Sequence, residues 1–364
     1  MILPDFRLER YFAQYEFAVR HLLCASDCET MTVRDLFYEG DQKALMNLRL
    51  GYTESQGDSE LRITIANLYD GIDRSQIVTC APEEGIFLTI NAIVHPRDRV
   101  IVQSPCYQSL EEIAKGIGAK VTRWQAEERG NQWYWDLEGL EKQLERTRLL
   151  VLNSPHNPTG HTFSRAEYKR IMRLAEDHGC LVLSDEMYRF SEYRKQDRLP
   201  SGAEFSEHCV SLGGLSKTFG LPGLRMGWLV VRDPKIREKI CAQKDYTTIC
   251  SSAPSEFIAA RALRKRTAIL KRNNSIIAEN LPMLQEFFAA RPQFTFLEPK
   301  AGPIALVRYD GESATAFCDE MVKKAGVLLL PSTLYDFGDH HFRVGFGRKN
   351  MPEALEAFGK YLVA

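Results

Sequence analysis

The stretch Ser211-Leu-Gly-Gly-Leu-Ser-Lys-Thr-Phe-Gly-Leu-Pro-Gly-Leu-Arg-Met-Gly-Trp228 sets one lysine, Lys217, in a small-residue turn between two apolar runs. A lysine that serves only solubility lies on a helix face with its stem along apolar surface and its ammonium in water. Here Gly213, Gly214, Gly220 and Gly223 surround it and let backbone and ligand approach closely. Ser216 precedes it and Arg225 follows in the same stretch. A phosphate-binding P-loop needs glycine directly before its lysine, and Ser216 at that place excludes one. The context suits a reactive amine; the competing reading is a surface lysine in a glycine-rich loop. Partners elsewhere in the chain decide between them.

Outward from Lys217, short apolar runs recur at Ile77–Cys80, Val100–Val102, Lys120–Trp124, Leu149–Leu152, Leu181–Leu183, Val210–Leu212 and Trp228–Val231. Helical segments separate them: Pro82 to about His95, 109–117 and Ser164–His178. This alternation predicts an α/β fold, a buried, mainly parallel seven-stranded sheet between helices. In such sheets ligands bind beyond the carboxyl ends of the strands, so residues just after each strand are the candidates for chemistry. After Trp228 the pattern changes. A helix is expected over 233–244 and a loop over 246–253. A long helical region from Ser255 to Ala290 follows, broken or bent at Pro282. The alternation of strands and helices from Phe294 to the last helix at Met351 predicts a smaller α+β domain. The expected division is an N-terminal arm at 1–44 that forms part of the small domain, a large domain at 45–250 and a small C-terminal domain at 251–364. Within the arm, Leu8 to Leu23 is expected to be helical; further on, Gly57-Asp58 forms a turn and Ser59 caps a helix.

The 364 residues carry a net charge of −1 with 44% hydrophobic and 26% charged residues, the balance of a soluble globular protein without a nucleic-acid or membrane partner. The basic cluster Arg261–Arg272 alternates with apolar residues at helical spacing and reads as a solvated helix face. Nine scattered cysteines, with only Cys24 and Cys28 close together, point to a reducing compartment and no metal site. No signal peptide or membrane span is expected, and the cytoplasm is the expected location.

Residues after the strands supply the test. Ser104-Pro-Cys-Tyr107, Asn153-Ser-Pro-His-Asn-Pro-Thr-Gly160 and Ser184-Asp-Glu-Met-Tyr188 each follow an apolar run. A carboxylate such as Asp185 at the end of a buried strand is costly unless it meets a cation. Near the C-terminus, His341-Phe-Arg-Val-Gly-Phe-Gly347 places Arg343 mid-strand, where an unpaired guanidinium is unfavourable. The ordered set Tyr52, Tyr107, Asn157, Asp185, Tyr188, Lys217, Arg225 and Arg343 resembles the fold type I, pyridoxal-phosphate-dependent aminotransferases of class I and II.

The resemblance, from about residue 45 to the C-terminus, implies pyridoxal 5'-phosphate held by a Schiff base to Lys217. Asp185 faces the ring nitrogen, Tyr188 and Asn157 the phenolate oxygen, and Tyr107 stacks on the ring. Ser216, Arg225 and the helix start at Pro82 and Glu83 hold the phosphate, with Tyr52 arriving from a second subunit of a homodimer. Arg343, with Asn157, binds the substrate α-carboxylate, and Arg348 is structural. The implied reaction moves an amino group between an α-amino acid and a 2-oxo acid. Two departures from the family stand out. Gly214 replaces a hydroxyl three residues before the lysine, and Ala81-Pro82-Glu83-Glu84 replaces a glycine and small residue at the helix start. The carboxylates of Glu83 and Glu84 must then point away from a phosphate. Glu9-Arg-Tyr-Phe12, the glycine before Leu-Ser-Lys and Lys244-Asp-Tyr are similar to capreomycidine synthase-like members, so a lyase or cyclase is the alternative reaction. A non-catalytic binding protein on this fold is disfavoured by the presence of both Lys217 and Asp185. Side-chain specificity is expected from the N-terminal arm and from loops such as Ser191–Pro200.

Overall fold

A computed structural model describes residues 1–363. Its centre is a seven-stranded sheet: β1 Ile77–Cys80, β2 Arg99–Ser104, β3 Lys120–Gln125, β4 Thr147–Asn153, β5 Leu181–Asp185, β6 Cys209–Gly214 and β7 Gly227–Val231, in the order β1-β7-β6-β5-β4-β2-β3. Only β7 runs against its neighbours. The apolar runs are continuous because both faces are covered: Val100, Leu149, Leu183 and Leu229 enter one core, and Ile101, Leu150, Leu152 and Val182 the other. Since β1 to β6 all point the same way, Cys80, Ser104, Asn153, Asp185 and Gly214 end on one edge.

A four-stranded antiparallel sheet, β8 Phe294–Phe296, β9 Ile304–Tyr309, β10 Leu330–Pro331 and β11 His341–Gly345, has the order β8-β9-β11-β10. Its core gathers Phe288, Phe294, Phe317, Phe342 and Phe358 with Leu23 from the N-terminal segment. The chain enters through helix α1, Arg7–Tyr15, and then extends, so that His21–Leu22 pairs in parallel with Val327–Leu328. The helical pattern expected up to Leu23 therefore ends at Tyr15, because backbone pairing with Val327–Leu328 outcompetes a further helical turn. Helix α2, Pro82–Ile93, starts at the sheet edge as expected.

Three further details differ from the sequence reading. The cap of the helix beginning at Ser59 is Asp58, whose carboxylate accepts from Leu61 N at 3.0 Å. The long helical region is two helices, α3 Ala253–Arg264 and α4 Arg266–Ala289, broken at Lys265 rather than at Pro282. The Lys265 ammonium reaches the carbonyls of Asp35 and Phe37 at 3.1 and 2.6 Å, while buried Ile277, Leu284 and Phe288 hold α4 through its proline. The hairpin Glu127–Arg129 with Gln132–Tyr134 is too short and polar to show as strands in the sequence. No helix among the described residues is long and apolar enough to cross a membrane.

Candidate active site

The carboxyl edge of the sheet opens into a cavity of about 700 Å³ whose walls include Pro82, Glu83, Tyr107, Asn157, Asp185, Tyr188, Ser216, Lys217, Arg225 and Arg343. Seven chain regions thus converge on one space. Asp185 closes β5 and is buried; its carboxylate accepts from the backbone N–H of Met187 at 3.1 Å. Burial pushes its pKa up to about 7, only partly opposed by that N–H and by the charge of Lys217. Among the described residues it makes no ion pair. Asn153, ending β4, orders the next turn: its amide donates to the Asp185 carbonyl at 3.0 Å and its oxygen accepts from Asn157 N at 2.7 Å.

Lys217 follows β6. Burial lowers the pKa of its amine, against the charges of Asp27, Glu9 and Asp185, and Nζ donates to Ser26 Oγ at 2.9 Å. Among the described residues the buried Ser216 Oγ has no hydrogen-bond partner, and the Tyr188 hydroxyl has none but the Ser26 side chain beside it. Such an orphan is expensive and marks where a polar ligand atom fits. Arg225 stands at the rim, donating only to the Pro222 carbonyl at 3.1 Å. The first turn of α2 adds the N–H groups of Glu83 and Glu84, which have no carbonyl of their own helix to bond.

Both departures noted in the sequence have a steric account here. A Cβ at Gly214 would lie 2.8 Å from Met187 Sδ and 3.2 Å from Pro82 Cγ, so methionine and proline fill the space a hydroxyl side chain would take. Glu84 does turn away: it accepts from Ala81 N at 3.2 Å and from the Thr247 and Thr248 hydroxyls at 2.5 and 2.7 Å. Glu83 does not. It lines the cavity, receives the Ser109 hydroxyl at 3.2 Å, and burial raises its pKa to about 7. Near neutral pH a carboxyl in that state can be protonated, which relieves its repulsion of a bound phosphate.

Arg343, in β11, is 1% exposed and makes no ion pair among the described residues. Its guanidinium donates to the Cys24 carbonyl at 2.7 and 3.2 Å, to Asn157 Oδ1 at 3.0 Å and to the Tyr335 hydroxyl at 2.5 Å, all neutral acceptors. A buried cation with only neutral acceptors is prepared for an anion. Arg348 is engaged instead with Asp27, at 2.8 to 3.1 Å. Gly302 of Ala301-Gly-Pro303 packs on the Tyr188 ring, 3.5 Å from where its Cβ would be.

The opposite wall comes from the N-terminal segment: Phe6, Glu9, Phe12, Glu16, Ser26 and Asp27. Glu9 Oε1 accepts from the Tyr107 hydroxyl at 2.6 Å, and Phe6 lies 5.0 Å from the Tyr107 ring between centroids. Ser26, Asp27, Glu9 and Tyr335 were not legible as site residues, because none follows an apolar run of the large sheet. Only the 3.6-residue spacing of Glu9, Phe12 and Glu16 hinted at a common face. Ser191–Pro200 does not line the cavity, and Tyr52 is 92% exposed on the surface, outside it.

Residues 21–358 match the family model described as aminotransferase class I and II. The aspartate aminotransferase of Sulfolobus acidocaldarius is 27% identical over 322 residues, 84% of this chain and 80% of that protein. The capreomycidine synthase of Streptomyces vinaceus is 28% identical over 376 residues, 99% of this chain and 93% of that protein. The crystal structure of a PLP-dependent aminotransferase from Streptococcus suis shares the fold with a TM-score of 0.94 at 28% identity, covering 100% of this chain and 98% of that one.

Proposed function

The chain belongs to the class I and II aminotransferase family, with pyridoxal 5'-phosphate as its cofactor, and from that premise we propose that it transfers an amino group between an α-amino acid and a 2-oxo acid. The observation that carries this reading is the buried Arg343 guanidinium, free of any acidic partner among the described residues, across the same cavity from the Lys217 amine. The buried groups fit the cofactor: Asp185 lacks the cation that a protonated ring nitrogen supplies, and Ser216 Oγ lacks the acceptor that a phosphate supplies. When bound, the cofactor withdraws electrons from the substrate α-carbon.

The protein's own groups do the rest in this reading. Arg343, oriented by the Cys24 carbonyl and Asn157, binds the α-carboxylate and fixes which substituent of the α-carbon faces Lys217. Burial keeps the Lys217 amine readily neutral, so Nζ accepts the proton leaving the α-carbon and later returns one. Asp185 holds a proton on the ring nitrogen, Tyr188 and Asn157 fix the phenolate edge, and Tyr107, braced by Glu9, covers the ring face. Ser216, Arg225 and the first turn of α2 at Pro82 and Glu83 take the phosphate.

Tyr52 reaches the phosphate of a second subunit in this proposal; its exposure outside the cavity of its own chain supports a homodimer. The proposed division into 1–44, 45–250 and 251–364 places the crossover near α3, which still packs on Leu61, Ile65 and Trp228 of the larger unit. The alignment with capreomycidine synthase, which includes the N-terminal arm, favours a second reading: elimination or ring closure. One screen separates them. Purified holoenzyme is mixed with single amino acids, and conversion to the pyridoxamine form is followed by absorbance together with release of a 2-oxo acid. Transamination requires both signals; an amino acid consumed while the pyridoxal form persists would replace it by the second reading.

A further inference from the structure

Between Leu23 and Glu29 the chain threads a slot formed by the lysine loop and the strand that bears Arg343. Backbone bonds fix it on both sides: Cys28 N donates to the Lys217 carbonyl at 3.1 Å, Gly345 N to the Leu23 carbonyl at 2.8 Å, and Glu29 N to the Gly347 carbonyl at 2.8 Å. The Cys24 carbonyl receives two N–H groups of Arg343, and the Asp27 carboxylate is gripped by Arg348. Side chains at Gly345 or Gly347 would overlap the carbonyl oxygens of Ala25 and Asp27. A segment so tightly seated places its side chains as firmly as a strand does. One of them, the half-buried Ser26, has its hydroxyl oxygen 2.9 Å from Lys217 Nζ.

We infer that Ser26 is a further catalytic residue: its hydroxyl oxygen holds the free Lys217 amine so that the nitrogen lone pair faces the α-carbon during proton transfer. The inference rests on the reaction proposed above. When the α-carbon C–H bond breaks, the proton joins Nζ and the electron pair stays with the substrate carbon. Nζ then carries one more N–H, and Ser26 Oγ accepts one of them, so the ammonium is held until it returns a proton. Arg343 and Ser26 are set by the same few residues, Cys24 to Asp27, so the carboxylate clamp and the proton carrier keep a fixed separation. Near-attack geometry depends on such a fixed frame.

Two measurements on wild type, Ser26→Ala and Ser26→Thr test this. In holoenzyme, exchange of the substrate α-hydrogen in D₂O is read by NMR alongside amino-acid affinity from the absorbance change. Ser26→Ala should slow exchange on the order of 100-fold with affinity within about threefold, and Ser26→Thr should restore most of the rate. Full-length protein freed of cofactor is then given pyridoxal 5'-phosphate across a pH series, and the rate of capture by Lys217 is followed. Loss of the Ser26 acceptor disfavours the ammonium, while Asp27, Glu9, Glu16, Asp185 and Arg343 face Lys217 unchanged and Tyr188, which also reaches Ser26, stays in place. The acid limb of the capture profile should move down by about one pH unit in Ser26→Ala. Exchange within twofold of wild type, an equal loss of affinity and exchange, or an unshifted capture profile would each overturn the role of Ser26. If wild type itself exchanged no α-hydrogen, the proposed reaction would fall, and the capture profile would still decide for or against the Ser26 contact with Lys217.

Discussion

At the carboxyl edge of the seven-stranded sheet, Asn157, Asp185 and Lys217 each sit within a few residues of a strand end. Across the cavity, the segment from Phe6 to Glu29 supplies a comparable wall with no strand of that sheet behind it. The first region derives its precision from a parallel ladder buried on both faces. The second derives it from wedging: α1 bonds through Arg7 to Gln108 and Asp336, at 3.0 and 2.6 Å, and through Tyr11 to the Leu329 carbonyl at 3.0 Å. The sheet edge holds charged and reacting groups where burial makes them costly and reactive. The N-terminal wall sets what those groups can reach.

If that division is right, substitutions on the sheet edge should remove chemistry and those on the opposite wall, Ser26 beside Lys217 excepted, should retune it. The largest effect is expected from Lys217→Ala: turnover should fall on the order of 10⁴-fold, with loss of the visible absorbance of bound cofactor. Retention of even a tenth of the activity would break the comparison. Asp185→Asn comes next, with a loss of about 10² to 10³-fold in kcat and little change in KM, because the group acts on the ring and not on substrate binding. Arg343→Lys keeps the charge but loses the planar fork, and KM for amino acids should rise about 10 to 100-fold.

On the other wall, Glu9→Gln should cost less than about tenfold in kcat/KM: the Tyr107 hydroxyl keeps an oxygen acceptor but loses a charged one. A larger loss would promote Glu9, like Ser26, into the chemical machinery.

The smallest expected effect separates the regions by pH. Asp185 and Glu83 have pKa values raised to about 7 by burial, above those of the unfolded chain. In cofactor-free protein these two groups in the folded state therefore keep protons that the unfolded state has released, and their contribution to stability should fall as pH rises from about 4 to above 7. Burial lowers the pKa values of His156 and His161 to about 3, and their contribution runs the opposite way, so the effect is read as the difference in Tm between wild type and Asp185→Asn, which should be more favourable to wild type at pH 5 than at pH 8. Asp185→Asn should flatten the slope, and so should bound cofactor, whose cationic ring nitrogen would meet the carboxylate in the proposed site. No change in slope would mean that Asp185 already has a partner in the folded chain.

Much of the site could be read before any coordinates because the large sheet writes itself locally. A doubly covered strand needs an unbroken apolar run, and the polar residue after it must serve a ligand or pay for its burial; hence Asn157, Asp185 and Lys217 stood out. Arg343 was visible for the same reason, a charge inside a strand pattern. The break at Lys265 was missed because a side chain reaching two distant carbonyls leaves no periodic trace, whereas Pro282 does.

By itself, then, the sequence determined the α/β frame, the places of Lys217 and Asp185 at the strand ends, and the family. Hydrophobic periodicity and strand-end polarity are local properties of the chain. Only the tertiary structure decided that Ser26 touches Lys217, that Glu9 braces Tyr107, that Tyr335 joins Arg343 and that Met187 and Pro82 fill the place beside Gly214. Those contacts join residues tens to hundreds of positions apart through side-chain packing, and no local pattern encodes which distant surfaces will meet.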